Sequence, residues 1–317
     1  LSALRAAALL IAGLLLAGCA GKVQLPESSE RLPTAVELVD TPFFPQEDYQ
    51  CGPAALATVL VQRGVETSPE ELVPRVYLPA RQGSLKLELV AAARQSGMVV
   101  YPLQAQLDAV LAQVAAGNPV LVMQNLGYDW WPQWHFAVVV GYDRSREELV
   151  LRSATSKRWI TDFTTFDNTW RRAGRWAVVT LPPERLPAEA QLQPWLQAAS
   201  DLEETGRREV AERAYRTAAE HWPDEPMPTF ALANARYAEG DRDGAEQALR
   251  DSLRRRTDFA IGWFNLSEVL NERGCAGQAG AARACARKLA PDDQRLAVPL
   301  DSPGRGSGRC VAIPVCP

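Results

Sequence analysis

Pro45-Gln46-Glu47-Asp48-Tyr49-Gln50-Cys51-Gly52-Pro53-Ala54-Ala55-Leu56 places one cysteine where a polar loop turns into an apolar run. Beyond it, Leu56, Val59 and Leu60 recur at helical spacing until Gly64 closes the segment, so Cys51 opens a helix. A thiol at a helix N-terminus lies among free backbone N–H groups and the positive end of the macrodipole. Both stabilise the thiolate and lower the pKa. Cys51 is therefore a candidate nucleophile, to be weighed against an inert buried cysteine.

Catalysis through a thiol needs an imidazole to take the proton, and the 317 residues contain two histidines. His135 stands at the head of the apolar run Phe136 to Val140, 84 residues after the cysteine (135 − 51), where a sheet would hold it rigidly. His221 lies beside Trp222-Pro223 at the end of a helical stretch and reads as structural. One residue at a helix start and one at a strand start, in the same domain, favour a catalytic pair over two unrelated core residues.

Working outward, residues 52–95 carry helical patterns. Ser68-Pro69-Glu70-Glu71 supplies a cap, a proline at the first turn and an acid after it, and another helix runs from about Ser84 to Gln95. After Gly97 come short β-branched runs, Met98 to Tyr101, Val120 to Met123, Phe136 to Val140, Glu148 to Leu151 and Trp176 to Leu181. Helices at Leu107 to Ala116 and Phe163 to Arg172 interrupt them. The expected fold over 37–185 is α+β, a helical front half packed on an antiparallel sheet.

Beyond the proline-rich hinge Leu181 to Pro187 the sequence turns alanine-rich and helical. Gly206, Gly240 and Gly274 are spaced by 34 (240 − 206 and 274 − 240), as are Ala211, Ala245 and Ala279. This resembles the tetratricopeptide repeat, a helix–turn–helix unit of that length. Three units fit, at about 192–225, 226–259 and 260–292 within an all-α domain at 188–292. The resemblance implies a protein partner. The tail, 293–317, carries Cys310 and Cys316. Cys275 and Cys285 are too far apart along one helix to pair with each other, about 12 Å at 1.5 Å per residue. Disulfides from them to Cys310 and Cys316 would pin the tail, in a connectivity the sequence leaves open.

At the other end, residues 1–18 are almost unbroken apolar sequence, too short for a comfortable span, and read as a signal peptide. Leu16-Ala17-Gly18-Cys19 resembles the lipobox of bacterial lipoproteins, which implies a lipid on Cys19 and a membrane anchor. Residues 19–36 then read as a tether. Ala20 after the cysteine points by the same resemblance to the periplasmic face of the outer membrane. A net charge of −4 gives no reason to expect nucleic acid, no zinc-type Cys/His spacing exists, and no cofactor is expected.

The run Gln50-Cys51-Gly52-Pro53-Ala54-Ala55-Leu56, with His135-Phe136-Ala137-Val138-Val139-Val140-Gly141-Tyr142-Asp143, resembles the double-glycine (bacteriocin-leader) peptidases of the papain-like clan. The similarity covers roughly 40–183 and implies a cysteine peptidase acting on a peptide or protein. Cys51 is then nucleophile, His135 general base and acid, and Gln46 oxyanion donor, with Gln50 as the alternative donor. Where that family carries Asp-Pro, this chain reads Leu151-Arg152-Ser153-Ala154. Ser153 thus occupies the place of the orienting Asp, and it cannot supply the charge that stabilises an imidazolium. Asp143, Asp162 and Asn168 are the substitutes the sequence offers. A weakened peptidase with a Cys–His dyad, a peptide-binding scaffold, and a transferase using the same acyl-enzyme remain as readings. Trp130 and Trp131, in the aromatic stretch leading into His135, are candidate substrate-binding residues.

Overall fold

The computed structural model describes residues 23–45, 50–81, 83–304, 306 and 309–317. The signal peptide, Cys19 and Gln46 lie outside the described residues. No helix among the described residues is long and apolar enough to cross a membrane. The chain divides into two compact units. The first holds the described residues up to Gln62 together with Glu66–Lys86 and Leu103–Val179; the second holds Arg63–Val65, Leu87–Pro102 and Thr180–Pro317.

The first unit is built on an antiparallel sheet. Its long strands are β5 (Val120–Asn125), β6 (Trp134–Asp143), β7 (Glu148–Ser153) and β8 (Ser156–Asp162), in that spatial order. β9 (Ala177–Leu181) pairs with the other side of β5, Leu121 opposite Val178, and β4 (Val99–Pro102) belongs to the second unit. Short β1 (Ala35–Glu37) pairs with β6, and β2 (Tyr77–Leu78) with β3 (Gly83–Ser84) make a separate ribbon. Both neighbours of β6 are paired over most of its length, so its interior, Phe136 to Tyr142, is fully buried.

Helix α1 (Cys51–Val61) packs on β6 and buries every residue from Gly52 to Leu60. The sequence suggested one apolar face; the helix is instead apolar all round, which is what a helix enclosed by its own domain requires. Three more helices belong to this unit, α2 (Pro69–Val76), α4 (Leu107–Ala115) and α5 (Phe163–Arg172), while α3 (Lys86–Gln95) falls almost wholly in the second. The Ser68 hydroxyl caps α2 by accepting from the Glu71 N–H at 3.3 Å, and Asp162 caps α5 by accepting from the Thr165 N–H at 2.8 Å. Such caps stabilise by about 1 kcal/mol each.

Four strands were not legible in the sequence: the two-residue β2 and β3, too short to show a pattern, and β8 and β1. β8 lies at the end of the strand order and is mostly exposed, so its Ser-Lys-Arg-Trp-Ile-Thr-Asp run lacks a buried-face alternation. β1 falls inside the stretch read as a tether, and that reading is corrected. Ser29 is buried, Arg144 donates to the Leu32 and Pro33 carbonyls, and Ala35–Glu37 joins the sheet. Residues 27–36 are therefore part of the domain.

The second unit stacks six helices as three pairs: α6 (Leu192–Glu204) with α7 (Arg208–His221), α8 (Met227–Ala238) with α9 (Arg242–Arg255), and α10 (Ala260–Glu272) with α11 (Ala276–Leu289). Gly206, Gly240 and Gly274 each turn the chain between the members of a pair at φ near +80°, a conformation glycine adopts without a Cβ penalty. Ala211, Ala245 and Ala279, one interval apart, are all fully buried. The anchors are Trp195, which donates to the Ala214 carbonyl at 2.9 Å, and Trp263, which donates to the Thr257 carbonyl at 2.7 Å. Residues 87–102 group with these helices rather than with their sequence neighbours. Arg94 pairs with Asp201, Tyr101 packs on Trp195, and the Tyr101 hydroxyl accepts from the Gln191 N–H.

Two disulfides, Cys275–Cys310 and Cys285–Cys316, fasten the tail as expected and settle its connectivity. Arg250 donates to the carbonyls of Val311 and Ala312, and Asn271 donates to that of Asp301. In the chain-entropy account a closed loop of 31 to 35 residues stabilises by about 4 kcal/mol for each disulfide. The variant carrying Cys310→Ser and Cys316→Ser, which lacks both, should therefore lose roughly 20 °C from the thermal midpoint of its helical signal in circular dichroism, while Cys51→Ser leaves that midpoint unchanged.

Candidate active site

Cys51 is the first residue of α1 and the one free cysteine among the described residues. Its sulfur is within reach of three backbone N–H groups, those of Phe136, Gly52 and Cys51 itself. The last two are the unsatisfied donors of a helix N-terminus. The first comes from β6, next to His135, and places the thiol against the histidine-bearing strand. The expected fall in thiol pKa does not follow: burial pushes it above its ordinary value and the three N–H groups offset this only in part. α1 is enclosed by protein, so desolvation of the thiolate outweighs the helix terminus.

His135 is the second residue of β6, opposite Gln124 on β5. Burial pushes its pKa down to about 4. At neutral pH the resting pair is thus a protonated thiol and a neutral imidazole. The Nε2 atom of His135 lies 2.8 Å from the hydroxyl oxygen of Ser153. With Nε2 engaged, any role as a base would fall to the other ring nitrogen, Nδ1. Ser153 is the last residue of β7, and the two-residue turn after it holds Ala154 at φ 50°.

The other substitutes for a carboxylate are committed elsewhere. Asp143 accepts from the N–H and hydroxyl of Ser145 and from the N–H of Arg146, closing the β6–β7 turn. Asp162 caps α5, and Asn168 sits within α5 with no bond to His135. Gln50, the alternative oxyanion donor, occupies the N-cap position of α1, and its side chain makes no capping bond. His221 stacks edge-on against Trp222 at 4.7 Å in the second unit, in keeping with a structural role. No cluster of three or more metal-ligating side chains occurs among the described residues.

Trp130 and Trp131 are 78% and 63% exposed, at the tip of the β5–β6 hairpin. Trp130 stacks on Tyr128 at 5.6 Å, and Trp131 meets it edge-on at 6.2 Å. Sequence reading missed the residue that shapes this tip. Asn125 is buried; its side-chain oxygen accepts from the N–H of Gly127 and of Gln133, and its amide donates to the Tyr128 carbonyl. A Cβ at Gly127 would sit 2.3 Å from the Trp131 carbonyl, so this tight hairpin requires glycine there. The rings are held outward on a braced turn whose base, the Asn125–Trp134 pair, adjoins the Gln124–His135 pair.

No curated protein matches this chain. Among solved structures it is similar to a Bacillus anthracis protein assigned to the C39-like peptidases, at 16% identity and a TM-score of 0.40, over 47% of this chain and 98% of that one. Residues 38–178, which hold Cys51, His135 and Ser153, match the model of the Peptidase_C39 like family. That match supports a C39-like peptidase domain in the first part of the chain.

Proposed function

We propose that this protein is a cysteine peptidase of the bacterial cell envelope, hydrolysing peptide bonds through Cys51 and His135. The observation that carries the reading is the 2.8 Å bond between His135 Nε2 and Ser153, beside a thiol that reaches the Phe136 N–H. It engages one imidazole nitrogen and leaves Nδ1 for the thiol proton.

The chemistry runs from a neutral pair. Nδ1 takes the Cys51 proton as the sulfur attacks the peptide carbonyl, and the oxyanion is met by N–H groups at the start of α1 and by Gln46. The imidazolium then protonates the departing amine, leaving a thioester. His135 next takes a proton from water, which attacks the thioester and releases the acid. The Ser153 oxygen accepts from the imidazolium N–H but brings no negative charge, so each protonated state of His135 is less stabilised than beside a carboxylate. The site is a peptidase slowed by its third residue. The absent carboxylate favours the alternative, a scaffold that binds peptide without cutting it, and Cys51→Ala separates the two: hydrolysis disappears in the first and was never present in the second.

Trp130 and Trp131 are proposed as the substrate's apolar anchors. The six helices of the second unit are proposed as three tetratricopeptide repeats that hold a protein partner. A groove of about 220 Å³ bordered by Asn234, Tyr237, Phe264, Asn265 and Glu268 supports that surface. Cys19 is proposed as the lipid attachment point, on the periplasmic side of the outer membrane.

With a cleavable peptide, outcomes are expected for the wild type and three variants. The acid limb of kcat/KM lies near pH 4, because His135 stays neutral down to its depressed pKa, and His135→Ala lowers kcat/KM by about 10²–10⁴-fold. Ser153→Asp, which supplies the missing charge, raises kcat about tenfold, the gain from a charge-assisted bond about 1.4 kcal/mol stronger than a neutral one. It also moves the acid limb upward, since a carboxylate favours the imidazolium. Trp131→Ala raises KM several-fold and leaves kcat in place, as removal of uniform binding does.

A further inference from the structure

Arg152, adjacent to Ser153, is 3% exposed and has no carboxylate at ion-pair distance among the described residues. Its guanidinium is spent on backbone carbonyls. Nε donates to Thr41 at 3.2 Å, and Nη1 donates to Lys157 at 2.5 Å. Nη2 donates to Val39 and Thr41 at 3.2 Å and to Leu38 at 3.4 Å. The Glu37 carboxylate, itself paired with Arg158, also acts on this cation, but all the guanidinium's hydrogen bonds go to carbonyls, and a buried cation so held is costly to desolvate, so its retention calls for a role. The bonds form a closed circuit. The Leu38 N–H donates to the Val140 carbonyl of β6, Leu38 to Thr41 receive Arg152, and the residue after Arg152 bonds His135, also on β6.

On the β6 side the ladder does not reach Ser153, whose strand partner is Ser156 of β8. Pairing of β7 with β6 ends at Val138 opposite Arg152, and the β7–β8 register shifts between Leu151 and Ser153. Successive side chains of a strand point to opposite faces, so Arg152 holds the strand end from the side away from Ser153. Its bond to the Lys157 carbonyl spans the following turn. A neutral hydroxyl has no long-range attraction for an imidazole, so its bond depends on placement more than a carboxylate's would.

We infer that Arg152 is a positioning residue, which through the carbonyls of residues 38–41 and 157 holds the Ser153 hydroxyl on His135 and so fixes the imidazole tautomer that activates Cys51. The inference rests on the Cys51–His135 reading above. It separates from that reading in an assay that needs no substrate, the rate of iodoacetamide alkylation at pH 7, read by mass spectrometry on the peptide containing Cys51. The full chain is used as wild type, His135→Ala, Ser153→Ala, Arg152→Met and the Arg152/Ser153 double variant, each checked for folding by circular dichroism.

Wild type reacting no faster than His135→Ala would remove the reactive pair, and this inference with it. If wild type is faster, Ser153→Ala and Arg152→Met should each lower the rate about fivefold, and the double variant should be no slower than the slower single variant. Losses that multiply in the double variant would show that Arg152 acts independently of Ser153 and overturn the inference. Arg152→Lys carries the same cycle if the methionine variant does not fold, and added guanidinium, below denaturing concentration, should restore the rate of an Arg152→Ala variant but not of Ser153→Ala.

Discussion

Everything at the site depends on the packing of the buried helix Cys51–Val61 against strand Trp134–Asp143. The helix brings a thiol and two free N–H groups; the strand brings an imidazole and the N–H of Phe136. Neither element could hold the other's residue in place from a flexible loop. The strand is paired on both sides over most of its length, and the helix is enclosed from Gly52 to Leu60. Interiors packed this closely transmit small displacements directly. An overpacked side chain on α1, at Ala54 or Ala57, would therefore be felt at the sulfur.

The same enclosure decides the protonation state. Burial disfavours both the thiolate and the imidazolium, raising one pKa and lowering the other. An ion pair at rest would need a carboxylate behind the imidazole to repay that desolvation, and Ser153 stands there instead. A hydrogen bond between neutral groups contributes about 0.5–1.5 kcal/mol, and one to a charged group about 1.5–3. The serine therefore selects a tautomer without stabilising a charge. On the proposed reading of Cys51 as nucleophile and His135 as base, the outcome is a low resting charge and a slower chemical step.

Much of this was legible in the sequence, because it is local. Cys51 precedes a run of small apolar residues and His135 precedes a run of β-branched ones, so each announces its element. The interval of 34 between Gly206, Gly240 and Gly274 announces the helix pairs, and the separation of Cys275 from Cys285 points both toward the tail. What escaped is tertiary. The helix terminus at Cys51 argues for a lowered pKa, and only the enclosure of the helix reverses the sign. Arg152 lies just past the expected strand Glu148 to Leu151, and nothing in its sequence neighbours shows that the carbonyls of Leu38, Val39 and Thr41 are brought to it. Asn125 reads as a loop residue, yet it braces the aromatic hairpin from below. Residues 27–36 look like a linker because their few bonds, from Arg144 and from β6, come from more than a hundred positions away.

The central claim is that Cys51 and His135 form a neutral pair whose tautomer is set by Ser153. Nitrogen NMR of the imidazoles tests it most directly, since the chain has two histidines and His221→Gln removes one. The account predicts that His135 at pH 7 is neutral with its proton on Nε2, and that it titrates near pH 4. An imidazolium signal at pH 7, or a neutral ring carrying its proton on Nδ1, would contradict it.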